Sequence, residues 1–190
     1  MEINNLYLAR MKYFTKVNEG SVAGNVVQKQ IFDDLKLIDE KSFFLSFQPL
    51  SSWPKGPLLV GKISQKDGIF IPYINIYIIR DLIFFYYIFK YSLMAKNIFQ
   101  YNSYFVQNIS LCFSKLFLKK KIVCIFQDYK VGGLFSLRDR FFDKISSHFL
   151  RYFNCTIVVS EKLASEIRLK KFYVFPGALT YVSNENILNC

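Results

Sequence analysis

A chain of 190 residues, 52% of them apolar, is long enough for one domain with a full hydrophobic core. Its 25 lysines and arginines outweigh 14 acidic residues, and the resulting charge of +11 attracts phosphate groups on nucleic acid, anionic lipid or a nucleotide. Cys112, Cys124, Cys155 and Cys190 have neither CxxC nor metal-ligand spacing, which argues against a zinc module, while the chain's size and apolar content argue against a disulfide scaffold and make a cytoplasmic protein the expectation. A second source of the basic excess is codon bias, because Lys, Ile, Phe, Tyr and Asn share AT-rich codons and rise together. No basic region followed by an apolar core opens the chain, so no signal peptide is expected.

A first strand is expected between Ile3 and Phe14, centred on Leu6-Tyr7-Leu8. The following loop carries Asn18-Glu19-Gly20-Ser21, and Val22, Val26, Val27, Ile31, Leu35 and Ile38 then recur on one helical stripe. A glycine-containing loop entering a helix N-terminus offers free N–H groups to a phosphate; an ordinary strand-to-helix turn has the same sequence appearance. No Walker motif or GxGxxG is present, which excludes a P-loop NTPase and a dinucleotide enzyme. Ser42 to Phe47 reads as the second strand. Gln48 to Gly61, with Pro49, Pro54, Pro57 and the sole Trp53, reads as a loop, and Ile69 to Ile71 as a short strand.

Ile74 to Phe99 is the most apolar region. Leu82 to Phe89 is uninterrupted, but Arg80-Asp81 and Lys90 bound it, well short of the about 20 residues a membrane span needs. It predicts a long helix packed on a sheet; exposed aromatics and lysines on such a helix would also suit a membrane interface. Asn97 to Tyr101 is a further strand. Asn102 or Ser103 caps a helix to Phe117 whose apolar face is Phe105, Ile109, Cys112, Phe113 and Leu116. Lys119-Lys120-Lys121 reads as cations at the negative end of that helix rather than as a nucleic-acid patch.

Lys121 to Phe126 is a buried strand, broken by Gln127-Asp128-Tyr129 and the loop to Gly133. A helix over Arg138 to Phe153 turns Phe141, Phe142, Ile145, Phe149 and Phe153 inward, and Asp143, Lys144, Ser147 and Arg151 outward. The lone His148 falls on its polar face. Cys155 to Val159 is another strand. Ser160 caps a short helix with Glu161 in its first turn, and Phe172 to Phe175 is the last strand. Alternating strands and helices predict an α/β, Rossmann-like three-layer sandwich with a mostly parallel sheet of six or seven strands and functional loops at the strands' carboxyl ends.

A strand ending at Asp128, then a helix, then "IVVSEKLASEI" (157–167) and "FYVFPGA" (172–178), resembles the second half of the N-terminal, acceptor-side domain of a GT-B glycosyltransferase. The closest group is the large family-4 type that builds bacterial surface polysaccharides and lipopolysaccharide. The resemblance implies a domain over 1–178 and the start of an interdomain linker over 179–190, with the donor-binding domain and its paired-glutamate motif absent. The chain would then be a truncated product or one subunit of a split enzyme, inactive alone.

The same resemblance implies sugar transfer from a nucleotide-sugar, a substrate rather than a cofactor, to a glycan or lipid-linked acceptor. Peripheral contact with the inner face of the cell membrane and a partner chain supplying the donor half are implied with it; no nucleic acid or metal is expected. Asp128 is the candidate catalytic residue, as a carboxylate able to deprotonate an acceptor hydroxyl, and equally an Asx-type turn residue. Gly20, Ser21, Tyr129, Ser160 and Glu161 are the candidate substrate-binding residues; capping alone also accounts for Ser160 and Glu161.

Overall fold

The computed structural model of the protein describes residues 2–11, 22–127 and 137–175. Among these residues ten strands and five helices follow one another. They are β1 (Ile3–Ala9), α1 (Val22–Ile38), β2 (Ser42–Ser46), β3 (Leu59–Val60), β4 (Ile63–Gln65), β5 (Gly68–Phe70), β6 (Tyr73–Ile74), α2 (Tyr77–Met94), β7 (Ala95–Tyr101), α3 (Phe105–Leu118), β8 (Lys121–Phe126), α4 (Leu137–Phe149), β9 (Cys155–Val158), α5 (Glu161–Glu166) and β10 (Phe172–Val174). Eight of the strands form one sheet in the order β10-β9-β8-β7-β1-β2-β5-β4, while β3 and β6 form a separate antiparallel pair. All neighbours in the large sheet are parallel except the edge pair β4–β5. The fold is therefore α/β and Rossmann-like, with eight strands where six or seven were expected. The excess is the edge strand β4, whose three residues carry too little pattern to read; its partner β5 corresponds to the short strand expected over Ile69 to Ile71.

Strand β1 lies at the centre, and Ile3, Leu6, Tyr7, Leu8 and Ala9 are all buried. A strand covered on both faces buries side chains of both parities, and here buried Asn5 interrupts the apolar run with its amide bonded to Ser42 and Asn97. Its odd and even side chains feed two cores. Leu6 and Leu8 join Phe43, Leu45, Phe84, Ile88, Ile98, Leu111, Ile122 and Leu150 beneath α2, α3 and α4. Tyr7 and Ala9 join Ile31, Phe32, Leu35, Phe44 and Phe70 beneath α1. Gly68 is required where β5 meets β2, since a Cβ there would drive into the Phe44 ring.

Three helices differ in detail from expectation. Helix α1 buries Gln28, Ile31, Phe32 and Leu35, and leaves Val26 and Ile38 of the predicted stripe exposed. Helix α3 starts after Tyr104 with no side-chain cap, because Asn102 is occupied in a left-handed turn (φ 56°) one residue past β7. Its buried side is Gln107, Asn108, Ser110, Leu111 and Ser114, whereas Phe113, Leu116 and Phe117 face outward. Helix α4 buries Ser146 and Ser147 and exposes Phe141; its last turn tightens to a 3-10 turn over Leu150–Tyr152, which seats Leu150 in the core. His148 is exposed, as its place on the polar face requires. No helix among the described residues is long and apolar enough to cross a membrane.

Candidate functional site

The chain runs outward from β1 through β2 to β5, returns along α2, and then builds outward on the other side through β7, β8, β9 and β10. The direction reverses between β1 and β7, and in open parallel sheets the crevice beyond the carboxyl ends of the strands at that switch point is where ligands bind. Its described walls are the end of β1 (Arg10, Met11), the end of β2, the β7–α3 turn, Gln127 after β8, and the first turn of α2.

The floor is held by side chains bonded to main chain. The Phe47 N–H donates to Ala9 O at 3.0 Å, the Met11 N–H to Ser46 Oγ at 3.0 Å, and Ser46 Oγ in turn to Met11 O at 3.0 Å. Gln28 of α1 accepts from the Arg10 N–H at 2.7 Å. On the β7 side, Gln100 Nε2 donates to Asn102 O at 2.5 Å and to Asn108 Oδ1 at 2.8 Å, and Asn108 Nδ2 donates to Ser103 Oγ at 2.7 Å and Ser146 O at 2.8 Å. The Asn102 N–H donates to Ile125 O, and Asn102 Oδ1 accepts from the Gln127 N–H at 2.9 Å, so the ends of β7 and β8 are laced together. Tyr101 donates its hydroxyl to Gln127 Oε1 at 3.0 Å.

The charged groups come from both walls. The Arg10 guanidinium lies over the Tyr104 ring, 4.3 Å from its centroid. Opposite, Arg80 in the first turn of α2 donates through one guanidinium nitrogen to Ser52 Oγ at 3.1 Å and Asn75 Oδ1 at 3.4 Å, with its Nε 3.8 Å from an Asp81 oxygen. Asn75 is itself fully buried and donates to Ser51 O and Pro57 O, which closes the 48–61 loop over the base of Arg80. Burial pushes the Asp81 carboxyl above the usual carboxylate range, against the opposing pull of Arg80 and then Arg10. Burial likewise raises the Tyr73 phenol, whose hydroxyl donates to Gln48 O at 2.6 Å, with the same two arginines pulling it down. The fields of both guanidiniums thus reach the same pair of groups. Tyr7 lies below, fully buried, its hydroxyl without a hydrogen-bond partner and its phenol held well above the ordinary value by burial and by the nearby Tyr101 and Tyr104.

Of the residues singled out in the sequence, Gly20, Ser21, Asp128 and Tyr129 lie outside the described residues. Ser160 and Glu161 are described. Ser160 Oγ accepts from the Leu163 N–H at 3.2 Å as a helix N-cap, and Glu161 is exposed in the first turn of α5. They stand beyond β9, three strand spacings from β1, or about 14 Å along the edge. Arg10, Tyr104, Arg80 and Asp81 escaped sequence reasoning because they are scattered over nearly a hundred positions. The one available signal was an arginine directly following the apolar run Leu6-Tyr7-Leu8-Ala9. Among the described residues there is no cluster of His, Cys, Asp and Glu able to hold a metal. Buried Cys124 has its thiol pushed far up by desolvation, and half-buried Cys112 is raised to about 11, so neither is poised as a nucleophile.

No family model matches the chain, and no curated protein is similar to it at a significant level. Among solved structures it is similar to sucrose-phosphate synthase from Thermosynechococcus elongatus, with a TM-score of 0.55 and 14% identity over 91% of this chain and 48% of that one. A shorter chain of the same synthase aligns with a TM-score of 0.50 and 14% identity over 93% of this chain and 90% of that one. The chain spans about half the length of the full synthase chain it matches. At this identity the likeness concerns architecture: the protein has a glycosyltransferase-like Rossmann fold.

Proposed function

We propose that this chain is the N-terminal, acceptor-side domain of a GT-B glycosyltransferase of the family-4 type, acting in surface polysaccharide or lipopolysaccharide synthesis. The observation that carries the reading is the glycosyltransferase-like fold together with a polar, arginine-bearing crevice at the switch point of its sheet. In this reading the acceptor lies in the crevice between β1 and β7. A nucleotide-sugar lies across the cleft on a donor-binding domain, carried on the same polypeptide or on a partner chain. The acceptor hydroxyl oxygen bonds to the sugar's anomeric carbon as the bond from that carbon to the diphosphate breaks. The hydroxyl proton passes to a carboxylate, for which Asp128 after β8 is the candidate, and the nucleoside diphosphate leaves with the electron pair.

The rate gain of such a reaction depends on holding donor and acceptor in one geometry. The 190-residue chain alone is therefore expected to release no nucleoside diphosphate from a panel of nucleotide-sugars, and to do so once the donor-binding domain is supplied. In the two-domain form, Asp128→Ala should abolish turnover while leaving thermal stability unchanged. Transfer by the isolated chain, or equal loss of folding and activity in the variant, would overturn the assignment.

A second reading, a docking subunit on the inner membrane face, is favoured by the outer side of α2 and α3. Ile78, Leu82, Tyr86, Leu116 and Phe117 are exposed there, Phe85 packs edge-on to Phe113, and Lys90 sits over the Tyr86 ring. Flotation with anionic vesicles at low salt separates it from a purely catalytic role.

A further inference from the structure

The crevice holds a cation whose bonding capacity no described residue takes up. Arg10 is half-buried at the end of the central strand, its main chain fixed by Gln28 and its guanidinium laid on the Tyr104 ring at 4.3 Å. A guanidinium carries five N–H donors in a planar fork. Among the described residues the Arg10 fork donates to none and makes no ion pair; the described salt bridges involve Lys36, Lys41, Arg80 and Lys96. Stacking on an aromatic face orients the plane of the fork without using any of its donors. Arg80, by contrast, spends donors on Ser52 and Asn75 and lies beside Asp81. Asp81 lies in the field of both guanidiniums, so among the described residues the charged groups of the crevice sum to a net positive charge.

The geometry points to an oxyanion subsite centred on Arg10, which on the glycosyltransferase reading above would receive a phosphate or carboxylate group carried by the sugar acceptor. A bidentate fork matches either group, since each offers two oxygens to parallel N–H donors, and a lysine would hold them less specifically. Tyr104 sets the orientation of the fork. Arg80 and Asp81 set the field around it and are positioning residues, since their own bonds go to the protein.

The test is calorimetric titration of the purified chain with glucose 6-phosphate, glucuronate and glucose, in parallel for the wild type, Arg10→Gln and Arg10→Lys. Circular dichroism and melting temperature serve as the folding control. Glucose 6-phosphate or glucuronate should bind the wild type and plain glucose should not; which of the two anions binds distinguishes a phosphorylated from an acidic-sugar acceptor. Loss of a charge-assisted fork should weaken binding roughly ten- to a hundred-fold in Arg10→Gln. Arg10→Lys, which keeps the charge and gives up the fork, should fall between. Should Arg10→Gln not fold, the lysine variant carries the same comparison. Binding of neither anion by the wild type, or equal affinity in the folded variants, overturns the subsite. The titration needs neither donor nor turnover, so failure of sugar transfer in the two-domain enzyme would remove the glycosyltransferase reading and leave this result standing.

Discussion

Helices α2 and α3 lie side by side on the same face of the sheet and meet it in opposite ways. Helix α2 inserts Phe84 and Ile88 into the core, with Phe84 packed against Phe47 and Tyr73. Helix α3 presents Gln107, Asn108, Ser110, Leu111 and Ser114, so only Leu111 is a large apolar group on its inward side. Ser110 and Ser114 donate back to the carbonyls of Val106 and Ser110 in their own helix, which satisfies them at close approach to neighbouring elements. Asn108 spends its amide on Gln100, Ser103 and Ser146. One helix is held by area removed from water, the other by a hydrogen-bond network that also shapes the β7 end of the crevice. Both leave apolar side chains on their outer surfaces.

Single substitutions should separate these two modes. Ile88→Ala removes a fully buried side chain and should cost about 2–5 kcal/mol in denaturant unfolding. A loss below 1 kcal/mol would show that α2 does not anchor the core. Asn108→Ala removes one of the two bonds of Gln100 Nε2 and the donor to Ser103 Oγ and Ser146 O, and should cost about 1–3 kcal/mol. Paired with Gln100→Ala the two losses should be non-additive, and strict additivity would mean the network is not a unit. Replacing Leu116 and Phe117 by serine should change stability by no more than about 0.5 kcal/mol per site, because these side chains are 75% and 69% exposed. If the outer surface contacts lipid, the same pair should abolish flotation with anionic vesicles.

The contrast also explains what the sequence disclosed. Strands β2, β8 and β9 were legible because buried parallel strands are written as short apolar runs with clear ends. Strand β1 was located without its end, and β10 was read from its strand formers although it is largely exposed. Helix α2 was legible from its apolar run. The inward face of α3 was not: periodicity pointed to Phe113 and Leu116, whereas small and amide side chains make the actual contact. The β3–β6 pair escaped notice because two-residue strands have no period, and a single side chain, Asn75, holds their loop. Local grammar revealed Ser160 and Glu161 as a cap and its first-turn acid, which stand beyond β9 and away from the β1–β7 crevice. Arg10, Tyr104 and Asp81 meet only because the sheet order sets β1 beside β7 and α2 above them, and no local pattern encodes a neighbour some ninety residues away.

That same sheet order has a consequence for how the chain is made. Asn5, midway along β1, touches both flanking strands: its amide nitrogen donates to Ser42 Oγ, 37 residues later, and its oxygen accepts from Asn97 Nδ2, 92 residues later. During synthesis β2 emerges well before β7. At about 5–20 residues per second, the interval is on the order of several seconds. Throughout that time one edge of the central strand stands open, with unpaired backbone groups between Leu6 and Leu8. Such an edge templates pairing with other nascent chains. Crowded polysomes are therefore where this protein is most vulnerable, and a pause or a chaperone engaged before residue 101 has emerged would protect it more than any stabilisation of the finished domain.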